Sequence, residues 1–265
     1  QAGRPEFGGG SEQLEPDPDF PTVSFPNPEE PGALDLGIRH AEEIGADILI
    51  AYDPDADRCA AAVPTASGSW RQLTGDETGA LLGDYLARQG ATGNFANSLV
   101  SSRLLRRIAA HYSLGHKETL TGFKWIARTP DLAFGYEEAI GFCPDPNAVR
   151  DKDGISASVR LAVLASVLKQ QGRSIADLLD RLAREHGLHA TRPLRVRVED
   201  PSLIPGTMDR LRAGGEALDQ NLGRAGQAGA RVDVAGVEDQ GAGHQFVEGE
   251  AARAFKAKHE AAYTH

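Results

Sequence analysis

Apolar positions along the chain follow two rhythms, short continuous runs and helical stripes. The runs Asp47-Ile48-Leu49-Ile50-Ala51-Tyr52 and Cys59-Ala60-Ala61-Ala62-Val63 read as buried strands. Leu34, Ile38 and Ala41 recur at helical spacing and predict a helix over 33–44, stopped by Gly45. Leu81, Leu82, Tyr85 and Leu86 line one face of a helix over 77–89, introduced by Thr74-Gly75-Asp76-Glu77 and ended by Gly90. Short strands are expected at 70–73, 97–101, 118–121 and 132–136. Helices are expected at 103–111, 123–128, 155–171 and 175–186, the last with Ser174 as N-cap and Gly187 as stop. Strands alternating with helices imply an α/β fold, a layered sheet covered by helices.

Beyond residue 200 the texture changes. An alternating strand at 194–198 and a helix at 202–212 lead into 214–243, which is glycine-rich and without strong periodicity. A last amphipathic helix is expected at 250–262. Boundaries near 64–66 and 188–192 divide the chain into 1–64, 65–188 and 189–265. Residues 1–11 are glycine-rich and lack an initiator Met, which reads as a cut end, and 15–31 carry six prolines, which reads as an extended connector.

Composition narrows the classes. The 265 residues are 40% apolar and 25% charged, ordinary for a globular protein. A net charge of −10 argues against sequence-independent nucleic-acid binding, which rests on a basic surface. No apolar run approaches the roughly 20 residues of a membrane helix, so no membrane partner is expected. Cys59 and Cys143 are too few for a disulfide framework, and free thiols suit a reducing, cytoplasmic setting.

Between the first two apolar runs lies Asp53-Pro54-Asp55-Ala56-Asp57-Arg58. Alternate side chains of extended backbone point the same way, so the three carboxylates converge. Two unit charges about 4 Å apart repel by roughly 4 kcal/mol at an effective dielectric near 20. A convergent trio needs a cation or protons. Three hard oxygen donors suit Mg²⁺, with water or a phosphate oxygen filling the other positions. Arg58 adds a fork that suits a phosphate. The bland reading is a solvated acidic turn opened by Asp-Pro. A calcium EF-hand loop fails, because Arg58 and Pro64 stand where its Gly and Glu belong. A haloacid-dehalogenase-like phosphatase, with Asp53 as nucleophile, also places Asp-x-Asp after a strand. It expects Thr or Val where this chain has Asp57, which weakens that reading and leaves it open.

Three other stretches carry chemistry. Gly135-Tyr136-Glu137-Glu138-Ala139-Ile140-Gly141 sets paired glutamates after a strand, able to accept hydrogen bonds from neighbouring sugar hydroxyls; its bland reading is an exposed acidic turn. Thr121-Gly122-Phe123-Lys124-Trp125 places Lys124 at a helix start, where it could hold a phosphate, give a proton or simply be solvated. Arg150-Asp151-Lys152-Asp153-Gly154 precedes a long helix, with Asp153 as its expected N-cap. The eight histidines show no metal spacing, and no Walker or Gly-x-Gly-x-x-Gly loop is present.

Taken together, Asp53–Arg58, Thr121–Lys124 and Gly135–Gly141 resemble, in this order, motifs of the α-D-phosphohexomutases, the phosphoglucomutase/phosphomannomutase family. Asp17–Val23, Phe25–Glu30 and Trp70–Glu77 resemble its phospho-sugar mutase branch, and the likeness runs from about residue 13 to residue 200. The resemblance implies mixed-sheet α/β/α layers, in which 1–64 is the later part of domain two, 65–188 domain three and 189–265 a remnant or divergent domain four. It implies an isomerase that moves a phosphoryl group between C1 and C6 of a hexose by way of a phosphoserine and a hexose 1,6-bisphosphate. It also implies that Asp53, Asp55 and Asp57 hold Mg²⁺, that Arg58 steadies a phosphate and that Lys124 contacts substrate or shuttles a proton. Glu137, with Glu138 and Ala139, would bind sugar hydroxyls. The family's Ser-His-Asn-Pro phosphoserine loop and Arg-x-Ser-Gly-Thr-Glu phosphate loop do not occur in these residues, so the chain is expected to lack mutase turnover by itself. A non-catalytic sugar-phosphate-binding module is the third reading.

Overall fold

The computed structural model describes residues 8–10, 12–13, 15, 17–23, 25–191 and 200–213. The expected strand at 194–198, the segment 214–243 and the helix at 250–262 lie outside them. The chain divides into two units, Gln1–Thr191 and Arg192–His265. In the second, the described residues form one helix, Leu203–Ala213, where the spacing predicts one. Asp200 takes hydrogen bonds from the amide and the hydroxyl of Ser202 just ahead of it.

In the first unit the order is α1 (Asp35–Ile44), β1 (Leu49–Tyr52), β2 (Cys59–Pro64), β3 (Trp70–Gln72), α2 (Gly75–Arg88), β4 (Asn94–Ser98), α3 (Leu104–His111), β5 (Gly115–Thr119), α4 (Phe123–Ile126), β6 (Leu132–Glu137), β7 (Gly141–Cys143), α5 (Gly154–Gln170) and α6 (Ile175–His186). Strands β1, β2 and β3 make an antiparallel meander. The second sheet has the order β5-β4-β6-β7, parallel across β5, β4 and β6, with β7 turned back antiparallel. It is a mixed α/β architecture.

The two sheets meet edge to edge where the site lies. The Cys59 N–H donates to the Ile140 carbonyl at 3.2 Å, and Arg58 and Gly141 form an antiparallel bridge. Strand β2 is buried from Cys59 to Val63, and its small side chains let helices approach closely. Behind the second sheet an aromatic row runs through the core: Phe95 meets Phe134 edge-on at 5.5 Å, and Tyr136 stacks between Phe134 and Phe142. A smaller cluster of Ala96, Phe123, Ile126, Leu132 and Cys143 covers the α4 side.

Helix α2 is pressed against this sheet by a stripe of glycines. A Cβ at Gly75 would lie 2.0 Å from the Glu138 carbonyl, one at Gly79 2.6 Å from the Tyr136 ring, and one at Gly83 2.6 Å from Leu105. Its start is fixed by a capping box, in which Thr74 Oγ1 accepts from the Glu77 amide and Glu77 accepts from the Thr74 amide. Deeper in, buried Asp84 accepts from Arg181 at 2.6 Å, from Arg88 at 2.9 Å and from the Tyr112 hydroxyl at 3.0 Å, tying α2 to α6 and to the end of α3.

The structure shifts two strands from their expected places. Strand β4 covers Asn94–Ser98 rather than 97–101, because Leu99 and Val100, the most apolar pair there, stand exposed in the following turn. Strand β5 covers Gly115–Thr119 rather than 118–121; it is a polar edge strand with no apolar alternation to mark it. Strand β7 has no counterpart in the expected elements.

Gly79→Ala forces a methyl into the Tyr136 ring, and overpacking of this kind costs about 1–3 kcal/mol, read as a lower urea midpoint at unchanged m. Burial, with some help from Arg106, lowers the His116 pKa from 6.5 to about 4. Across that window the unfolded chain binds a proton the folded one refuses, so stability falls as pH drops from 6.5 towards about 4. Urea titrations at several pH values should show this slope, and His116→Gln should flatten it.

Candidate functional site

Asp53 to Arg58 connects β1 to β2 as a tight turn. The Ala56 amide donates to the Asp53 carbonyl at 3.0 Å, and Ala56 takes a left-handed φ of 56°. A non-glycine residue in this region carries strain of about 1–2 kcal/mol. The three carboxylates do converge, with one oxygen from each of Asp53, Asp55 and Asp57 within 4.8 Å of the others. The cause is this turn, not the alternation of an extended strand, which corrects the argument from spacing.

Asp53 is 5% exposed, and Arg58 engages both its oxygens: the Arg58 amide donates to Oδ1 at 3.1 Å and Arg58 Nε to Oδ2 at 2.6 Å. Burial opposes ionisation of Asp53, but the Arg58 amide and guanidinium outweigh it and hold the carboxyl below its usual 3.8. This stabilisation is present above that value and lost as pH falls below it. Asp57 pairs with Lys152, whose Nζ lies 2.7 Å from Oδ2. Lys152 belongs to the charged loop ahead of α5, and spacing gave no reason to choose it over its neighbours. Asp153 of that loop caps α5 as expected, accepting from the Ile155 and Ser156 amides at 3.1 Å each. A Cβ on Gly154 would lie 2.7 Å from the carbonyls of Ala56 and Arg58, so the first turn of α5 abuts the acidic loop.

The glutamate turn approaches from the other sheet. Glu137 ends β6 and accepts from the Gly122 amide at 2.7 Å, which draws the 121–124 segment to it. Lys124 is exposed, and its chain runs back to within 4.0 Å of where a Gly122 Cβ would stand. Its Nζ lies 5.7 Å from the Trp125 ring centre, with Arg128 at 5.3 Å. Glu138 turns away from Glu137. Its Oε2 accepts from the Ser98 and Ser101 hydroxyls at 2.8 and 2.9 Å, and its amide donates to Ser101 Oγ at 3.2 Å. Ala139 sits half-buried in the turn, and Ile140 closes it at a left-handed φ of 56°. Burial, opposed by the Gly122 amide and reinforced by Glu138, raises the Glu137 pKa above its ordinary 4.5.

The two loops share one centre at Gly141. A Cβ there would meet the Lys152 stem at 2.6 Å and lie 3.8 Å from Glu137 Oε2. Glu137, the Lys152 stem and the Arg58 backbone therefore meet at Gly141, and the Arg58 and Lys152 ion pairs tie the acidic loop to them. Lys124 stands two residues beyond Gly122 with its Nζ over Trp125, and Glu138 is committed to two serines. The serines and Lys152 escaped sequence reasoning; the misplaced end of β4 hid Ser98 and Ser101 inside an expected strand.

The donor set fits Mg²⁺. Hard carboxylate oxygens from one turn bind at about 2.1 Å from the ion, so oxygens within 4.8 Å of each other need only a small inward closure. Two buried thiols nearby, Cys59 and Cys143, are pushed up to about 12 by burial and offer no soft ligand at neutral pH.

Two known family domains match this chain. Phosphoglucomutase/phosphomannomutase alpha/beta/alpha domain II matches residues 6–68, and domain III of the same family matches residues 74–186. The chain belongs to the α-D-phosphohexomutase family, the phosphoglucomutase/phosphomannomutase proteins. A probable phosphomannomutase of Haemophilus influenzae is 50% identical over 214 residues, 80% of this chain and 44% of that protein. A mouse phosphopentomutase is 40% identical over 222 residues, 76% of this chain and 35% of its own length. The chain thus spans less than half the length of these relatives. The crystal structure of a putative phosphomannomutase from Thermus thermophilus superposes with a TM-score of 0.52 at 26% identity, covering 62% of this chain and 36% of that one.

Mg²⁺ at ten times its dissociation constant should add about 1.4 kcal/mol of stability, a rise of about 3–6 °C in melting temperature. Asp55→Asn should abolish the rise with little effect on the ion-free protein, since Asp55 is exposed. Calorimetric melting of both proteins with and without the ion checks this.

Proposed function

We propose that these residues form the metal-binding and sugar-binding parts of a cytoplasmic phosphohexomutase that interconverts hexose 1- and 6-phosphates. The observation that carries the reading is the meeting of Asp53, Asp55, Asp57, Arg58, Lys152 and Glu137 around Gly141. Phosphoryl transfer depends on positioning and on neutralising the equatorial oxygens, and cations beside a hydroxyl-binding carboxylate suit both. In this reading Asp53, Asp55 and Asp57 hold Mg²⁺, which when bound supplies a Lewis acid for phosphate oxygens. Arg58, with Nε committed to Asp53, turns its remaining fork towards the phosphate. Lys152 offsets the charge of Asp57 and keeps a second cation at the same centre. Lys124 contacts substrate or carries a proton. Glu137 accepts hydrogen bonds from sugar hydroxyls; Ala139 flanks it, and Glu138 sets the shape of the turn.

In this reading hexose 1,6-bisphosphate is the ligand expected between half-reactions. A pentose phosphate is the alternative substrate, because relatives at 40% and 47% identity are named phosphopentomutase and phosphoribomutase. Both oxygens of Asp53 are taken by Arg58, which does not favour Asp53 as a phosphatase nucleophile. No helix among the described residues is long and apolar enough to cross a membrane.

The 265-residue polypeptide, which contains no Ser-His-Asn-Pro sequence, should bind sugar phosphate without turning it over. Calorimetry with glucose 1-phosphate, mannose 1-phosphate and ribose 1-phosphate in Mg²⁺ should show saturable binding to at least one. Glu137→Ala should weaken it by roughly 1.5–3 kcal/mol, the worth of hydrogen bonds to a charged group. Because the Glu137 pKa is raised above 4.5, affinity should fall on acidification at a higher pH than for a solvated glutamate. Failure of all three sugars to bind, or conversion of glucose 1-phosphate by the pure polypeptide, would overturn the assignment or its inactive state respectively.

A further inference from the structure

We propose that Asp76 is a positioning residue that fixes the glutamate turn from behind, through the serine turn that follows β4. Asp76 lies in the first turn of α2 and is 6% exposed. Its Oδ1 accepts from the Ser102 amide at 2.7 Å and from the Tyr136 hydroxyl at 2.8 Å. Its Oδ2 accepts from the Thr191 hydroxyl. Ser102 is thereby pinned, and with it the turn running back to Ser98, where the Ser101 amide donates to the Ser98 carbonyl at 3.1 Å. That turn presents the two hydroxyls that hold Glu138 Oε2, and Ser101 also takes the Glu138 amide.

Tyr136 closes the circuit, because it belongs to β6 one residue before Glu137. One carboxylate therefore grips the glutamate turn twice, through its strand and through the loop that holds Glu138. Gly75, the residue before Asp76, touches the same turn at the Glu138 carbonyl. Burial raises the Asp76 pKa, while the Ser102, Thr191 and Tyr136 donors oppose the rise. A buried carboxylate held by three donors is costly to keep unless the arrangement matters, since fewer polar atoms would fill the space as well. This role rests on the reading of Glu137–Ala139 as the sugar-binding turn; the contacts themselves do not.

The test compares Asp76→Ala with Asp76→Asn in the whole chain by amide hydrogen exchange. Asn retains an acceptor at the Oδ1 position, so it should rescue. In Asp76→Ala the Glu138 amide should exchange at least tenfold faster relative to Ala62 of β2, and in Asp76→Asn within threefold of the parent. Glucose 1-phosphate affinity should fall at least fivefold in Asp76→Ala and return in Asp76→Asn. If Asp76→Ala does not fold, Asp76→Ser, whose hydroxyl is too short to grip Ser102, should give the same exchange pattern. Unchanged protection of Glu138, or equal acceleration at Glu138 and Ala62, overturns the proposal. If the parent chain binds no sugar phosphate, the sugar-binding reading fails while the exchange comparison still decides the role of Asp76.

Discussion

A single backbone contact, the Cys59 amide on the Ile140 carbonyl, sets the relation between the two halves of the site. The first sheet ends in a loop of carboxylates and the second in a turn of glutamates. Neither loop has a reason to approach the other, since both are acidic. The bridge at Arg58 and Gly141 forces them together, and the space it encloses admits only a glycine on one side and a lysine stem on the other. Peptide hydrogen bonding thus overrides charge repulsion, and the repulsion is left for cations to relieve.

Arg58 and Lys152 relieve part of it. Asp53 is nearly buried and fully paired, whereas Asp55 is exposed and Asp57 shares its oxygens between Lys152 and, more distantly at 3.8 Å, Arg58. The three acids are not equivalent. Asp53 also anchors the turn through Arg58, while Asp55 and Asp57 are less buried. Both loops also store backbone strain, at Ala56 and at Ile140, each with φ near 56°. A β-branched residue there is a genuine outlier, and at Ile140 the cost is met by burying its side chain at 2% exposure.

Local signals were legible from the chain alone: the caps at Ser174 and Asp153, the stop at Gly45, the small-residue strand at Cys59–Val63 and the clustering of Asp53, Asp55 and Asp57. Each depends on neighbours a few residues away. The site parts that were not legible depend on contacts across the fold. Lys152 reaches Asp57 only because Gly154 lets α5 abut the acidic loop. Ser98 and Ser101 meet Glu138 only because β4 ends earlier than its apolar letters suggest. The glycines of α2 look like weak helix positions until the sheet behind them is known.

Those glycines carry a consequence for how this surface can change. Residues 75, 79 and 83 make α2 a rail machined to hydrogen width, and the glutamate turn rests on its end. A side chain acquired at 75 would press on the Glu138 carbonyl, one at 79 on the Tyr136 ring and one at 83 on Leu105, all many residues away in sequence. Drift in an apparently inert helix would therefore reach the glutamate turn and the aromatic row behind it without altering a single residue of either.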